Sequence, residues 1–526
     1  MDQAVPPQKL NASLPEYIGQ AIIQALSKER KQRFHDELTF ISALQTPPKT
    51  SLQWCEEGDT LSNLEHDDEA LLAYEQAMLL DPTNAIAYHG RGNALHNLDR
   101  YEEALQAYDQ AILLDPTNAV VYRNKGNTLH NLERYEEALQ AYEQAILLDP
   151  TDAVVYRNKG NTLHNLERYE EALPAYDQAI LLDPTDAIAY HGWGNALHNL
   201  ECYEEALPVY EQAILLDPTD AMIYCNKGNT LFYLEHYDDA LQAYDQAILL
   251  DPTDTLAYCN KGNMLFNLER YEEALLAYDQ ALLLDPTDTL ACCNKGDTLH
   301  NLERHEEALL AYDQAILLDP NYAAAYSGKG AILNNLERYE KALLAYDQAI
   351  LLDPTYALAY NNRGTTLRNL ERYEEALQSY DQALLLDPTY AMAYYNKGYD
   401  LDELQRYDEA LLAYDQALLL DLTHADSYTN KGVTLHRLQR YDEAILAYDQ
   451  AILLDPTRAT TIYYNKGDAL HHLRRYEEAL LAYDQALLLD PTYAAAYSNK
   501  GDTLRQLHRD KDAKKAYQKA RELGYS

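Results

Sequence analysis

The chain has 526 residues and a formal net charge of −43, a balance that argues against nucleic acid and anionic membrane surfaces as partners, since both would repel it; the plainer reading is that the charge simply keeps a long open surface soluble. No apolar run approaches the ~18–20 residues of a membrane span, the opening MDQAVPPQ lacks the basic-then-apolar layout of a secretion signal, and six cysteines in a chain of this length are no disulfide framework. A reducing cytoplasm is the expected location. Residues 1–50 are nearly neutral, with six Lys/Arg against five Asp/Glu, whereas the rest holds 36 against 80.

Residues 1–12 are mostly polar, contain Pro6 and Pro7, and read as disordered. From Leu14 to Leu44 the pattern turns helical. Ser13 and Glu16 have capping-box spacing, with Pro15 in the first turn. Ile18, Ile22 and Leu26 follow i, i+4 spacing, as do Phe34 and Leu38, with Ile41 three further on, and a basic cluster (Lys28, Arg30, Lys31, Arg33) interrupts the stripe. One or two amphipathic helices are expected here, ending before Pro47 and Pro48. They would either cover the open end of the region beginning at Ser51 or dock a partner.

From Ser51 onward one 34-residue sentence recurs, written in full at Ala119–Asp152 as AVVYRNKGNTLHNLERYEEALQAYEQAILLDPTD. Gly126 belongs to a column at this period that takes 14 of the 19 glycines, and Pro150 to one that takes 12 of the 19 prolines. Repeats of such length mark arrays, in which each unit is too small to bury its own core and must stack on its neighbours. Fourteen units are read, the first at 51–84 and the last at 494–526. Within the unit two helices are expected. Tyr122, Gly126 and Leu129 line one face of the first, with Leu132 next along it. Tyr135, Ala138, Leu139, Tyr142, Ala145 and Ile146 make the apolar stripe of the second. Thr117 or Asn118 is placed to cap the first helix, Glu136 and Glu137 suit the dipole of the second, and Asp149-Pro150-Thr151 ends it.

Tyr122-x-x-Lys125-Gly126-x-x-Leu129, followed by Ala138-x-x-x-Tyr142, Ala145 and Pro150, resembles the tetratricopeptide repeat, and the first unit carries the tryptophan form, Trp54 with Gly58. The match covers 51–526, leaving 1–50 as an N-terminal extension. The resemblance implies an all-α fold, an α-solenoid of helix hairpins wound as a right-handed superhelix, whose first helices line a concave groove that binds other proteins.

The chain departs from the family pattern in places. Lys or Arg mostly precedes the glycine (Lys125, Lys159, Arg363) where a large apolar residue is usual, so the stem is expected to pack while the charge reaches an acidic neighbour or water. Pro174 and Pro208 fall inside second helices, where each removes a backbone hydrogen bond and should bend the helix mildly. Leu422 replaces the column proline, and one residue is inserted between Pro456 and Gly467, so flexing or a change of pitch is expected over 420–467. Asp510, Lys514 and Arg521 stand where Tyr135, Leu139 and Ile146 stand in the reference unit, which would give the array a solvated end.

On the first helix Val120, Arg123, Asn124, Asn127, His130 and Asn131 share the face opposite the core stripe, which by resemblance lines the groove. The next unit repeats the set as Arg157, Asn158, Asn161 and His164. The Asn124 position recurs as Asn226, Asn260, Asn294, Asn362, Asn396, Asn430, Asn465 and Asn499. Such a ladder of carboxamides, each with a donor side and an acceptor side, could hold an extended peptide by its backbone, or could brace adjacent first helices. The Arg123 position varies along the array (His191, Cys225, Ser327, Asn361, Tyr395), and the expectation is that this variation reads a ligand.

The histidine column recurs at most once per repeat, at a spacing near 10 Å, too wide to share a zinc whose ligands lie ~2 Å from it; neither it nor His471-His472 is assigned to a metal. Cys225, Cys259 and Cys293 read as small apolar residues too far apart to bridge. No phosphate loop, nucleophile elbow or HExxH motif occurs, so no cofactor and no enzymatic activity are expected. A co-chaperone clamp for acidic C-terminal peptides finds Arg123, Asn127 and Asn158 but then meets Ile188 and Gly192, and fails. The expected function is a protein-interaction scaffold or adaptor holding an extended peptide or partner surface, against the alternative of a structural spacer that makes contacts only through its terminal segments.

Overall fold

The computed structural model describes residues 16–25 and 49–525. The described residues are all-α, with helical pairs in sequence and no strands, an architecture of the α-solenoid class. One helix, Glu16–Ala25, precedes the array and buries Ala21. The expectations for Ser13, Pro15, the basic cluster Lys28–Arg33 and the stripe through Ile41 lie outside the described residues. Two compact units emerge from the contacts, one ending at Pro252 and one beginning at Thr253. The first holds helix pairs from Ser51–Ser62 with Asp67–Leu80 to Ala221–Tyr233 with Tyr237–Leu250. The second holds pairs from Thr255–Asn267 with Tyr271–Leu284 to Ala494–Gln506 with Asp510–Glu522. Within each unit every pair packs on the next, and consecutive first helices also touch.

The reference repeat shows why these residues make this hairpin. Asn118 caps Ala119–Asn131 by accepting from the Val120 amide at 3.1 Å. Thr117 does something else, turning its own amide and hydroxyl to Asp115 Oδ1, at 3.0 and 2.7 Å. The same Asx-type turn closes the second helix, where Asp149 accepts from Thr151 and so sits below the usual carboxylate range. Leu422 leaves the matching turn intact, because Thr423 still donates to Asp421. Between the two helices the chain reverses through a left-handed residue, Glu133 at φ 58°, and the Arg134 amide returns to the Leu129 carbonyl at 2.9 Å. Fourteen hairpins among the described residues reverse in this way, and none of them uses glycine.

The core of each hairpin is a tyrosine against a glycine. Tyr142 is 1% exposed, and a Cβ on Gly126 would stand 2.5 Å from its Cε1. The lysine preceding the glycine behaves as expected. Lys125 Nζ reaches Asp109 on the preceding second helix at 2.7 Å, and Lys329 reaches Asp313 at 2.6 Å. Where Trp193 takes that position, it packs against the core cluster that holds Ala172 and Tyr176 instead. The helices Tyr169–Leu182 and Tyr203–Leu216 run continuously through Pro174 and Pro208. The insertion after Pro456 is taken up by a 3-10 turn, Pro456–Arg458, and by a first helix, Ala459–His472, of 14 residues rather than 13. At the far end Asp510, Lys514 and Arg521 are exposed, while Ala513, Ala516 and Ala520 bury the other face of the last helix. No helix among the described residues is long and apolar enough to cross a membrane.

Candidate functional site

The candidate residues lie on the first helices, where the structure ties many of them into the junctions between repeats. Asn127 Oδ1 accepts from the buried Tyr142 hydroxyl at 2.9 Å and from Asn158 Nδ2 of the next repeat at 2.8 Å. The relay recurs as Tyr108, Asn93 and Asn124, then as Tyr210, Asn195 and Asn226, and in the second unit as Tyr278, Asn263 and Asn294. Asn161 accepts from Tyr176 at 2.8 Å, but Gly192 occupies the position that would reach back to it. Further along the ladder changes partner. Asn396, now buried, donates to Asn361 Oδ1; Asn430 donates to the Tyr395 hydroxyl; Asn499 donates to the Tyr464 hydroxyl and to Asp468. Asn362 accepts from Asn361, and Asn260 and Asn465 are half-buried. At these junctions, though not where Gly192 or Gly328 takes the position, a carboxamide of one first helix donates to the first helix before it. For Asn158 the oxygen has no partner among the described residues and is free to accept.

His130 belongs to the same junction. Its Nδ1 lies 2.8 Å from Thr162 Oγ1, and that hydroxyl donates to the Asn158 carbonyl. The network therefore assigns the proton to His130 Nδ1 and leaves Nε2 as acceptor for Asn165 at 3.4 Å. Burial holds the His130 imidazole below its usual range, so the neutral ring is the working form. His164 faces Ala196 where His130 faces a threonine, and its Nδ1 is buried with no partner.

The variable position is occupied in a way the sequence does not announce. Arg123 pairs with Asp152 at 2.7 Å, the residue that caps the following first helix, and Arg157 pairs with Asp186 at 2.9 Å. Where the arginine becomes His191, the partner is Asp220 at 3.9 Å; where it becomes Cys259, the thiol points to Asp288 at 3.6 Å. Tyr395 and Tyr464 meet His424 and Tyr493 ring to ring, at 4.8 and 5.1 Å. At these positions the copy-to-copy change is met by the cap one repeat on. Arg123, Asn127 and Asn158, the partial clamp, are engaged with Asp152, Tyr142 and each other. The six cysteines are thiols and none is in a disulfide; burial pushes Cys259 and Cys293 up to about 12, which keeps them protonated and unreactive.

A second column on the same helices remains open. In the first unit Ile86, Ile188 and Met222 are between 52% and 59% exposed, and Val120 is at 38%. In the second unit Leu256 and Leu290 are at 56% and 53%, with Leu358 and Met392 somewhat less exposed. Each is the second residue of its first helix and so lies one helical turn before the Asn124 position. The signal in the sequence is an apolar residue outside the core stripe at that position. Elsewhere, an open pocket of about 550 Å³ lies among the last three helices, lined by Leu480, Leu504 and Ala516 and by charges of both signs, Glu477, Asp484 and Asp512 with Lys500, Arg509 and Lys515. His436, Asp468 and His472 bring three metal-ligating atoms together on adjacent first helices.

Against known families, models described as tetratricopeptide repeat match ten stretches between 85 and 493 and two more at 54–84 and 391–424. A further model described as TPR repeat matches 194–234. Among solved structures, YrrB, titled a TPR protein with an unusual peptide-binding site, is 31% identical over 35% of this chain and 95% of its own, with a TM-score of 0.32. The Cut9-Hcn1 hetero-tetramer of the APC/C is 15% identical over 89% of this chain and 99% of its own, with a TM-score of 0.44. MamA is 22% identical over 30% and 93%, with a TM-score of 0.30. No curated protein sequence matches the chain.

Proposed function

The chain belongs to the tetratricopeptide repeat family, and from that premise we propose that it is a non-enzymatic scaffold or adaptor that holds an extended peptide or partner surface along its first helices. Proteins built of these repeats generally mediate protein–protein interaction. The observation that carries the reading is the open apolar column, Ile86, Val120, Ile188 and Met222 in one unit and Leu256, Leu290, Leu358 and Met392 in the other. Apolar side chains left in water at the same position of eight repeats suit a partner that contributes apolar side chains at intervals. The asparagines themselves are a poor probe, since removing Asn226 also removes its bonds to Asn195 and His191 and loosens a junction.

The test is affinity capture from a native extract with mass spectrometry, comparing the full chain with the double variant Ile188→Asp, Met222→Asp. Both positions are exposed, so the circular dichroism signal should not change, while capture of the specific partner should fall at least about tenfold, the equivalent of 1.4 kcal/mol. A partner retained in full by the double variant and lost on removal of residues 1–50 would overturn the reading in favour of a spacer.

A further inference from the structure

At one junction the usual hydrogen bonding of the array is replaced by a different chemistry. In the regular junctions the histidine of one repeat meets a threonine hydroxyl of the next, as His130 meets Thr162, whereas His164 and His300 find no hydroxyl there. Between the first helices Ala425–Arg437 and Ala459–His472 three positions change together. Ala469 stands in the threonine position, Asp468 in the position of Asn127, and His472 in that of Asn131. With no hydroxyl to meet, His436 brings its Nε2 to 3.1 Å from Asp468 Oδ2. His472 Nε2 lies 3.7 Å from the same oxygen, and the three ligand atoms all fall within 4.8 Å of one another.

The surroundings hold this arrangement. Asn499, from the following repeat, donates to the other carboxylate oxygen of Asp468 at 3.2 Å and leaves Oδ2 to the two imidazoles. The Tyr441 ring stacks on His472 at 4.9 Å and 7° and meets His436 edge-on at 5.1 Å. His436 Nε2 is shut off from solvent and lies within ion-pair distance of the carboxylate. The imidazole nitrogen of one repeat and the carboxylate oxygen of the next are close neighbours, as two ligands of one ion are.

We propose that His436, Asp468 and His472 bind a divalent transition-metal ion, zinc by preference, and so join two repeats. Two imidazole nitrogens and one carboxylate oxygen suit zinc, copper or nickel rather than calcium or magnesium, which prefer oxygen ligands. A tetrahedral zinc with bonds of ~2.0–2.1 Å places its ligand atoms about 3.3 Å apart. The Asp468 distances already bracket that figure, and His472, whose side chain is 48% exposed, closes the remaining gap and provides the route of entry. Three protein ligands leave a fourth position for water or for a donor on a partner. The ion would tie the junction that carries the inserted residue and the 3-10 turn Pro456–Arg458, where covalent regularity is lowest.

The untagged full-length chain, stripped of metal, is titrated with zinc chloride by calorimetry and with cobalt(II) by visible absorption. One equivalent of zinc per chain and the absorption of a four-coordinate cobalt site are expected. His472→Asn and Asp468→Asn each restore the residue of a regular repeat, so the chain still folds, and each should abolish the equivalent. Asn499→Ala should weaken zinc binding about 10- to 100-fold through loss of its hold on the carboxylate. His471→Asn should leave binding intact, because His471 is engaged with Thr503 at 2.8 Å. No bound equivalent, or an equivalent that survives His472→Asn, overturns the site.

Discussion

A methyl group on Gly126 would collide with the ring of Tyr142, so the glycine and the tyrosine are one contact recorded at two points of the repeat. Other single residues act through burial and charge. Asp400 occupies the position that is Thr128 and Thr162 in the regular repeats, is fully buried, and leaves both carboxylate oxygens without hydrogen bonds, with Arg368 Nε at 3.7 Å. Burial pushes its carboxyl up to about 7, against the pull of Arg368 and with a further upward push from Glu403. The folded chain therefore holds this proton more tightly than the unfolded chain, whose carboxyl titrates near 3.8. The proton's contribution to stability is fully present below pH ~4, falls as pH rises toward ~7, and is absent above that. Asp400→Thr should flatten the dependence and stabilise the junction most at pH 8, by at most about 4 kcal/mol, the equivalent of a three-unit shift. Arg368 keeps its bond to Asn396 in that variant. Hydrogen exchange of 391–424 at pH 5 and pH 8 measures the difference; equal protection of the wild type at both values would refute it.

Each hairpin turns on a left-handed residue with a side chain, such as Glu133, Glu167 and Glu201. That backbone costs an L-residue roughly 1–2 kcal/mol that glycine is spared, less the ~0.5–1 kcal/mol of extra freedom glycine gains in the unfolded chain. Glu133→Gly should therefore stabilise its hairpin by up to about 1 kcal/mol, and Glu133→Gly, Glu167→Gly and Glu201→Gly together by roughly the sum, as sites in separate turns. A lower urea midpoint for the triple variant would count against this account. At this scale the sequence was informative in an uneven way. The apolar walk from Tyr135 to Ile146, the lysine stems and the Asp-Pro-Thr stop are local patterns, and the helices begin and end close to where those patterns change. The junction was not legible, because a column of asparagines looks the same whether it faces a ligand or the next helix. Asn124 finds Asn93, His130 finds Thr162 and Arg123 finds Asp152 only when two repeats are in contact. The His436–Asp468–His472 cluster escaped the histidine-column argument for the same reason, since its ligands come from different positions of two repeats.

The last helix, Asp510–Glu522, presents charge outward and three alanines inward. Beneath it Leu480 is 6% exposed and Leu504 is 2% exposed, packed on Ala513 and Ala516. Removing residues 494–526 should uncover Leu480 with the rest of its helix face and turn the chain into a concentration-dependent self-associating species, seen by light scattering coupled to size exclusion. Adding Leu480→Lys to the truncation should reverse this, and a truncated chain that stays monodisperse at all concentrations would show that the final pair covers nothing of consequence.

The relay of Tyr142, Asn127 and Asn158 has a consequence for how such a chain changes over generations. The first helices Ala119–Asn131 and Ala153–Asn165 are letter-for-letter the same. His89, Asn93 and His96 meet Asn124 and Thr128 of the one, and Asn158 and Thr162 of the other carry the same groups at the same places. Excising Ala119–Asp152 would let the flanking hairpins join through an interface with every donor and acceptor matched. Unequal crossing-over between such copies thus yields a sound product at once, and the length of the array can be inherited, lost or regained in whole repeats without repairing a single junction.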